Sequence, residues 1–273
     1  VRERPIRFLI AAVAAAIFAF PIWFMVSSAF KAEAEVQAIP LHFFPHNFQG
    51  LAQFRQAAEI APLWRYFLNS WIYAASHVGI TVFFGALAGF GFAKYRFPGR
   101  TLLFVAVLST IMVPFQVLVV PLFVEVKWFG WENSYAGLII PGMMNAFGVF
   151  MMRQYSSDLP DELIEAARVD GAGEFHIFLR IALPLLLPAL ASLAIIVFIW
   201  SWGNFLWPLV IVQDKDLNVL SVGMTSYSQP YQREPMWAAA MAASTVATLP
   251  IAALFVFFQR YFVKGLTAAA VKG

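Results

Sequence analysis

The sequence predicts an all-α, polytopic membrane protein with six transmembrane helices, and three observations carry that prediction. Hydrophobic residues make up 61% of the 273 positions and charged residues only 12%, with a mean hydropathy of +0.74. Soluble chains have about 25% charged residues, so a water-facing surface cannot be assembled from this composition. The 33 charged residues leave six apolar stretches of 20 to 33 residues. Each is long enough for a helix to cross a hydrocarbon core of about 30 Å. Lastly, the runs are unbroken rather than alternating, which excludes a membrane β-barrel. The absence of cysteine excludes disulfides, thiol catalysis and Cys-ligated metal sites. A net charge of +3 is too small to indicate nucleic acid.

In chain order the spans are drawn at 8–30, 66–93, 101–124, 133–152, 184–212 and 236–259, all within a single transmembrane domain over 1–273. The first follows Arg2, Arg4 and Arg7 and is longer than the apolar core of a signal peptide, so it is expected to be a retained helix. The second carries Gly79, Gly85, Gly89 and Gly91, small residues that permit close helix approach within the bundle. It also holds His77, an intramembrane histidine with no acidic companion in any span, expected to be neutral and hydrogen-bonded to another helix. Pro21, Pro114, Pro121, Pro141 and Pro208 sit inside or at the edges of spans, where each removes a backbone donor and permits a bend. The uncharged gaps 36–54 and 217–232 are loops: the first holds Pro40, His42, Pro45, His46 and Asn47, the second Asn218, Gln229, Pro230 and Gln232. Gln116, Asn145, Ser201, Trp202, Asn204 and Trp207 are candidates for lining a path for a neutral polar solute.

Six spans put both termini on one side. That side carries twelve Lys and Arg residues and the other six, so the positive-inside rule places both termini in the cytoplasm.

The cytoplasmic loop 156–183 is unlike the others. Asp161 and Glu162 complement a helix amino terminus, Pro160 fits the first helical position, and Gly171 is a stop signal. The pattern gives a short helix, a glycine turn and a second helix from about Glu174 to Arg180. Leu163, Ala166 and Ala167 share a face that lets a partner surface come close.

Glu165-Ala166-Ala167, three residues, Gly171, nine residues, Ile181, one residue, then Leu183-Pro184 resembles the EAA loop of ABC importer permeases at every fixed position. Asn69-Ser70, Tyr95–Arg100, Leu159–Glu162, Trp202–Leu209 and the ending Gly265–Gly273 look like the carbohydrate-uptake, maltose-type permeases, in particular the smaller six-span subunit. Two departures are visible: Trp202-Gly203-Asn204 stands where that family has Trp-Asn-Asp or Trp-Asn-Glu, and Ala269 where its tail has glycine.

The resemblance implies a type I ABC importer permease fold in a bacterial or archaeal cytoplasmic membrane, moving a sugar such as a di- or oligosaccharide inward. A polyol, a glycerol phosphate or a sugar derivative is the alternative cargo, and an ion-coupled secondary carrier the alternative machine. The implied partners are a second permease subunit as heterodimer, two ATPase subunits, a periplasmic or lipid-anchored solute-binding protein, the sugar and membrane lipid. It further implies that Glu165, Ala166, Ala167, Asp170 and Gly171 couple to the ATPase. Leu266, Thr267, Lys272 and Gly273 would reach toward the ATPases, and Tyr227, Gln229, Tyr231 and Gln232 would face the binding protein. The chain has no Gly-x-x-x-x-Gly-Lys-Ser/Thr loop, so ATP and Mg belong to the partner, with no cofactor here. No residue is assigned as catalytic or as a metal ligand.

Overall fold

The computed structural model describes residues 3–227 and 236–270, with side chains for 6–227 and 236–258. Gln229, Tyr231, Gln232, Lys272 and Gly273 lie outside the described residues, and the side chains of Leu266 and Thr267 likewise. Every regular element among the described residues is helical. In order these are α1 (Glu3–Ser28), α2 (Glu33–Val36), α3 (Ala52–Ile60), α4 (Leu63–Lys94), α5 (Arg100–Ser109), α6 (Phe115–Trp128), α7 (Tyr135–Ile139) and α8 (Ala146–Ser157). Then come α9 (Asp161–Val169), α10 (Glu174–Ile177), α11 (Leu183–Leu185), α12 (Leu187–Trp202), α13 (Leu206–Ile211), α14 (Leu220–Gly223) and α15 (Trp237–Ala270). Contacts gather the chain into two compact units, 1–67 with 220–252 and 68–219 with 253–273.

Among the described residues, three helices are individually long and apolar enough to cross a membrane: Ile6–Ser28, Leu63–Lys94 and Trp237–Phe258. The other three apolar stretches are bent pairs. Arg100–Met112 meets Phe115–Trp128 at 101°, Tyr135–Gly142 meets Ala146–Ser157 at 46°, and Glu174–Leu185 meets Leu187–Trp202 at 80°. Pro114 and Pro141 stand at two of these breaks, whereas Pro21, Pro121 and Pro250 lie inside continuous helices.

In the first unit, α1 exposes Ala11, Ala15 and Ala19, so this small-residue stripe is not used for packing there. Lys31 is buried: its Nζ donates to the His42 carbonyl at 2.6 Å and to Ser28 Oγ at 3.2 Å, and lies 4.5 Å from the Phe24 ring centroid. Burial pushes its ammonium below the ordinary lysine range. Glu33 accepts from the Trp237 and Ala238 amides at 2.6 and 2.8 Å, so its carboxylate meets the free N–H groups opening α15. The stretches 36–54 and 217–232, read as loops from sequence, also contain the start of α3 and the whole of α14.

In the second unit, Gly85 and Gly89 of α4 pack on α8. A Cβ on Gly89 would lie 2.6 Å from the Arg153 backbone nitrogen, and one on Gly85 would lie 3.2 Å from the Gly148 carbonyl carbon. Gly79 and Gly91 have open space, so only half of the glycines on this helix are spent on packing. The core joins Ala86 and Phe90 of α4, Met152 of α8, Ile164 and Ala167 of α9, and Ile177, Phe178, Leu186 and Leu193 further along.

Candidate functional site

The second unit holds a half-open cavity of about 320 Å³, lined among others by Tyr73, His77 and Thr81 of α4, Asn145, and Ser201, Asn204 and Trp207. Phe115, Trp200 and Pro141 add apolar wall. Among the described residues, no charged side chain lines it. A smaller space of about 180 Å³ shares Thr81 and Asn145 with it and extends past Gly85, Val107 and Thr110.

The broken stretch 135–157 explains how this wall is built. Pro141 has no N–H, so the Gly137 carbonyl loses the donor an uninterrupted helix would supply. Trp207 takes that place, its Nε1 donating to the Gly137 and Leu138 carbonyls at 3.1 and 3.2 Å. The Met143 amide turns back to Ile140, a 3-10 pattern, which frees the Ile139 carbonyl. His77 Nε2 donates to it at 3.1 Å. Thr81 Oγ1 donates to the Met143 carbonyl at 2.9 Å, and Asn145 Oδ1 accepts from the Phe147 amide at 2.8 Å to cap α8. Freed backbone groups inside an apolar segment must find partners, and four side chains provide them. Histidine as an interhelical hydrogen bonder matches the sequence expectation for His77.

Asn145, Ser201, Asn204 and Trp207, four of the six candidates, line this cavity, with Asn204 Nδ2 donating to the Tyr73 hydroxyl at 2.9 Å. Two candidates do not. Gln116 is exposed on α6 and the neighbouring Phe115 takes the lining position. Trp202 is buried instead against Phe198, stacked at 5.4 Å, and Trp71 at 5.6 Å. Tyr73 and Thr81 were missed. Their spacing of four residues on either side of His77 along α4 was the available signal, hidden within a uniformly apolar helix.

The loop after α8 forms a second constellation. Pro160 is the N-cap of α9 with extended backbone, one place before the position expected for it, and Asp161 opens the helix. Asp170 closes it, Gly171 follows at φ +82°, and the amides of Gly171 and Ala172 return to the carbonyls of Arg168 and Ala167 at 3.0 and 2.9 Å. That pair of bonds is a Schellman stop, which needs a left-handed residue and so favours glycine at this position. Ile164 and Ala167 are buried in the core of the unit, while Glu165, Ala166 and Asp170 are exposed. The sequence reading groups Ala167 with the outward face. It turns inward because Ile164 and Ala167, three residues apart, make one apolar stripe.

Both ends of α9 are tied to the end of α4. Lys94 Nζ donates to the Leu159 carbonyl and to Asp161 Oδ1, each at 2.6 Å. Arg168 forks onto Glu174, with Nε to Oε1 at 2.7 Å and Nη2 to Oε2 at 3.1 Å, and the Tyr95 hydroxyl donates to the same carboxylate. Lys94 holds the Asp161 carboxyl below the usual range, and Arg168 with Tyr95 does the same for Glu174. Burial, reinforced by Glu174, raises the Tyr95 phenol.

Tyr227, expected on a partner-facing loop, is buried with its hydroxyl donating to the Ala57 carbonyl at 2.8 Å. An amphipathic phenol finds its apolar surroundings and one acceptor inside the first unit.

Residues 81–268 match the family described as binding-protein-dependent transport system inner membrane component. The chain is 36% identical over 259 residues to the arabinooligosaccharides transport system permease protein AraQ of Halalkalibacterium halodurans, covering 94% of this chain and 92% of that one. It is 34% identical over 256 residues to the sn-glycerol-3-phosphate transport system permease protein UgpE of Escherichia coli, covering 92% and 91%. In fold it is similar to a chain of a bacterial ABC transporter involved in the import of the acidic polysaccharide alginate, with a TM-score of 0.85 over 96% of this chain and 98% of that chain, at 20% identity.

Proposed function

We propose the function from one premise: this chain belongs to the family of binding-protein-dependent transport system inner membrane components, the permeases of ABC importers. It is thus a multi-pass inner membrane protein without catalytic chemistry of its own, working with an ATPase and a binding protein. Its specific role is to pass a neutral sugar, a di- or oligosaccharide, into the cytoplasm as one half of a permease heterodimer served by two ATPase subunits. Six spans with both termini cytoplasmic complete the reading, with the tail from Leu266 directed toward the ATPases and the 212–234 segment toward the binding protein.

The observation that carries this reading is the split personality of α9. Its outer face offers Glu165, Ala166 and Asp170, and its inner face is locked into the core through Ile164 and Ala167. A force from an ATPase on the outer face is passed directly to Phe90 of α4 and to Ile177 and Phe178 before α12. Those same helices carry Tyr73, His77, Thr81, Val197 and Ser201 of the cavity. A lever and a pathway wall are one packed body.

The cargo is argued from the cavity. Relatives serve arabinooligosaccharides and glycerol 3-phosphate, so similarity alone supports two chemistries. A phosphate asks for the charge of Arg or Lys, and the lining has hydroxyls, amides, an imidazole and indoles instead, with the Asn145 cap already occupied by the Phe147 amide. Aromatic faces and uncharged hydrogen-bonding groups suit a neutral polyol ring.

The test uses the chain assembled with its partner permease, ATPases and binding protein in proteoliposomes. ATP-driven uptake of a labelled oligosaccharide, with no uptake of glycerol 3-phosphate, is the expected result. The reverse preference would overturn the cargo. Gly171→Asp places a side chain at φ +82°, where an ordinary residue is penalised by about 1–2 kcal/mol. It should leave membrane insertion intact and reduce uptake more than about tenfold. Wild-type uptake from that variant at matched expression would remove the lever assignment.

A further inference from the structure

The segment between α1 and α3 carries a feature that the transport reading does not use. Glu35, His42 and His46 bring one ligand atom each to within 4.8 Å of one another. The His42 Nδ1 and His46 Nδ1 atoms stand 3.1 Å apart, and the two rings meet nearly at right angles, with centroids 4.3 Å apart. Three side chains with nitrogen, nitrogen and oxygen donors converge, drawn from a short helix and two points of one loop.

From this geometry we propose that Glu35, His42 and His46 form a binding site for a divalent transition-metal ion of the zinc class. Two ligand atoms on a tetrahedral zinc, at bond lengths of about 2.0–2.1 Å, stand about 3.3 Å from each other. The imidazole nitrogens already have that separation to within a few tenths of an ångström. Two imidazole nitrogens this close share either a hydrogen-bond proton or a cation, and the carboxylate oxygen within 4.8 Å of both offers a cation a third ligand. Imidazole with carboxylate is a donor set for zinc, nickel or copper rather than for magnesium or calcium, and water completes the fourth position.

The flanking structure holds the donors in place, which is what separates a built site from side chains that merely meet. Glu35 is oriented by the amides of His46 and Asn47, which donate to Oε1 and Oε2 at 2.6 and 3.3 Å. The His42 backbone is held by Lys31 Nζ, and the Phe43 carbonyl by Ser27 Oγ at 2.7 Å. Gln53 Nε2 donates to the Lys31 carbonyl at 3.0 Å, anchoring the lysine from the other side. Outer partners of this kind fix ligand orientation and carry part of the affinity. The ion would staple the loop from Glu35 to His46 across α2. The sequence reading assigned no metal ligands, and the signal it passed over is the spacing His42-x-x-x-His46 within one uncharged loop.

The test is a cobalt titration of the full chain, purified in detergent through a tag without histidine after chelator treatment. Visible absorption reports tetrahedral cobalt and elemental analysis reports stoichiometry. The proposal expects one cobalt per chain, displaced by zinc. His42→Ala and His46→Ala should each weaken binding about 100-fold, and Glu35→Gln about tenfold. His176→Ala, which alters an exposed histidine far along the chain, should bind as wild type does. Glu35→Gln is nearly isosteric and keeps a carbonyl acceptor for the His46 amide, so it reports on the ligand rather than on folding. Absence of stoichiometric cobalt in the wild type would overturn the site. So would undiminished binding by the His42 and His46 variants, eluting as wild type in size-exclusion chromatography.

Discussion

Helix α4 meets the rest of its unit in two ways, and the contrast separates what is built to stay from what is built to move. At mid-length, His77 and Thr81 donate to the Ile139 and Met143 carbonyls of the broken stretch, and both side chains are buried. At its end, Lys94 and the adjoining Tyr95 reach Asp161 and Glu174, whose carboxylates are exposed. The buried bonds satisfy carbonyls freed by the break, so losing one leaves an unpaired group away from water. The two carboxylates can exchange their protein partners for water or for another protein at little cost, while the Lys94 side chain, only 5% exposed, keeps the Leu159 carbonyl as its acceptor. Rigid wall and exchangeable joint lie on one helix.

Sterics at the seam between wall and joint should give the largest effect. Gly89→Leu would drive a side chain into the backbone of Arg153, 2.6 Å from the position of Cβ. We expect collapse of α4–α8 packing and loss of monodisperse protein in size-exclusion chromatography. Normal yield and elution would show that the two helices separate freely. Trp207→Phe comes next. It keeps an aromatic ring and removes the indole donor to the Gly137 and Leu138 carbonyls, for an expected loss of about 1–2 kcal/mol in detergent denaturation.

His77→Leu removes a single interhelical bond, so a smaller loss of about 0.5–1.5 kcal/mol is expected. A loss equal to that of Trp207→Phe would mean that the second acceptor of Trp207 adds nothing. The smallest stability effect belongs to the joint. Asp161→Asn should leave the thermal midpoint unchanged while lowering the uptake obtained per ATP hydrolysed in proteoliposomes. A fall in midpoint as large as that of Trp207→Phe would erase the distinction between wall and joint. Its pH behaviour is set by the sign of the shift. Lys94 holds the Asp161 carboxyl below its usual value, so the contact persists above the ordinary carboxylate range and is lost only as pH falls through the lowered value. Uptake across about pH 6 to 8 should therefore carry no signature of this pair.

The all-helical architecture was legible because apolar length and the positions of charge depend on the membrane rather than on neighbours. The stop at Gly171 was legible for a similar reason, since a left-handed turn is a local demand. Facing was not. In a helix such as α12 both the lipid side and the interior side are apolar, so nothing in the sequence distinguishes Trp202, packed on Phe198, from Trp200 on the cavity. The same blindness hid that Phe115, and not Gln116, faces the cavity. Proline gave half an answer: Pro141 breaks its helix where Trp207 accepts the consequences, while Pro21 and Pro250 leave theirs continuous. Bending needs a willing neighbour as well as a missing donor. Ala167 shows the converse error, because its spacing from Leu163 suggested an outward face, whereas its spacing from Ile164 decides that it turns inward.

Between α10 and α11 the chain makes a wide turn of π-helix, Phe178–Ala182. Five residues along an α-helix amount to about 140° of net rotation, so Ile177 and Ala182 would sit on nearly opposite sides of a regular coil. Both are buried in the same core, because a π-turn brings residues five apart into line. The wide turn absorbs one extra residue and keeps the loop in phase with the bundle. Rewinding the same residues as a regular α-helix would turn everything upstream by about 100° relative to α11 and α12. Glu165 and Ala166 would then point a quarter-turn away from their present direction with every side chain of α9 unchanged. Deleting Leu179 would instead remove the bulge and leave Ile177 and Ala182 four apart on one face, so the loop would keep its aim.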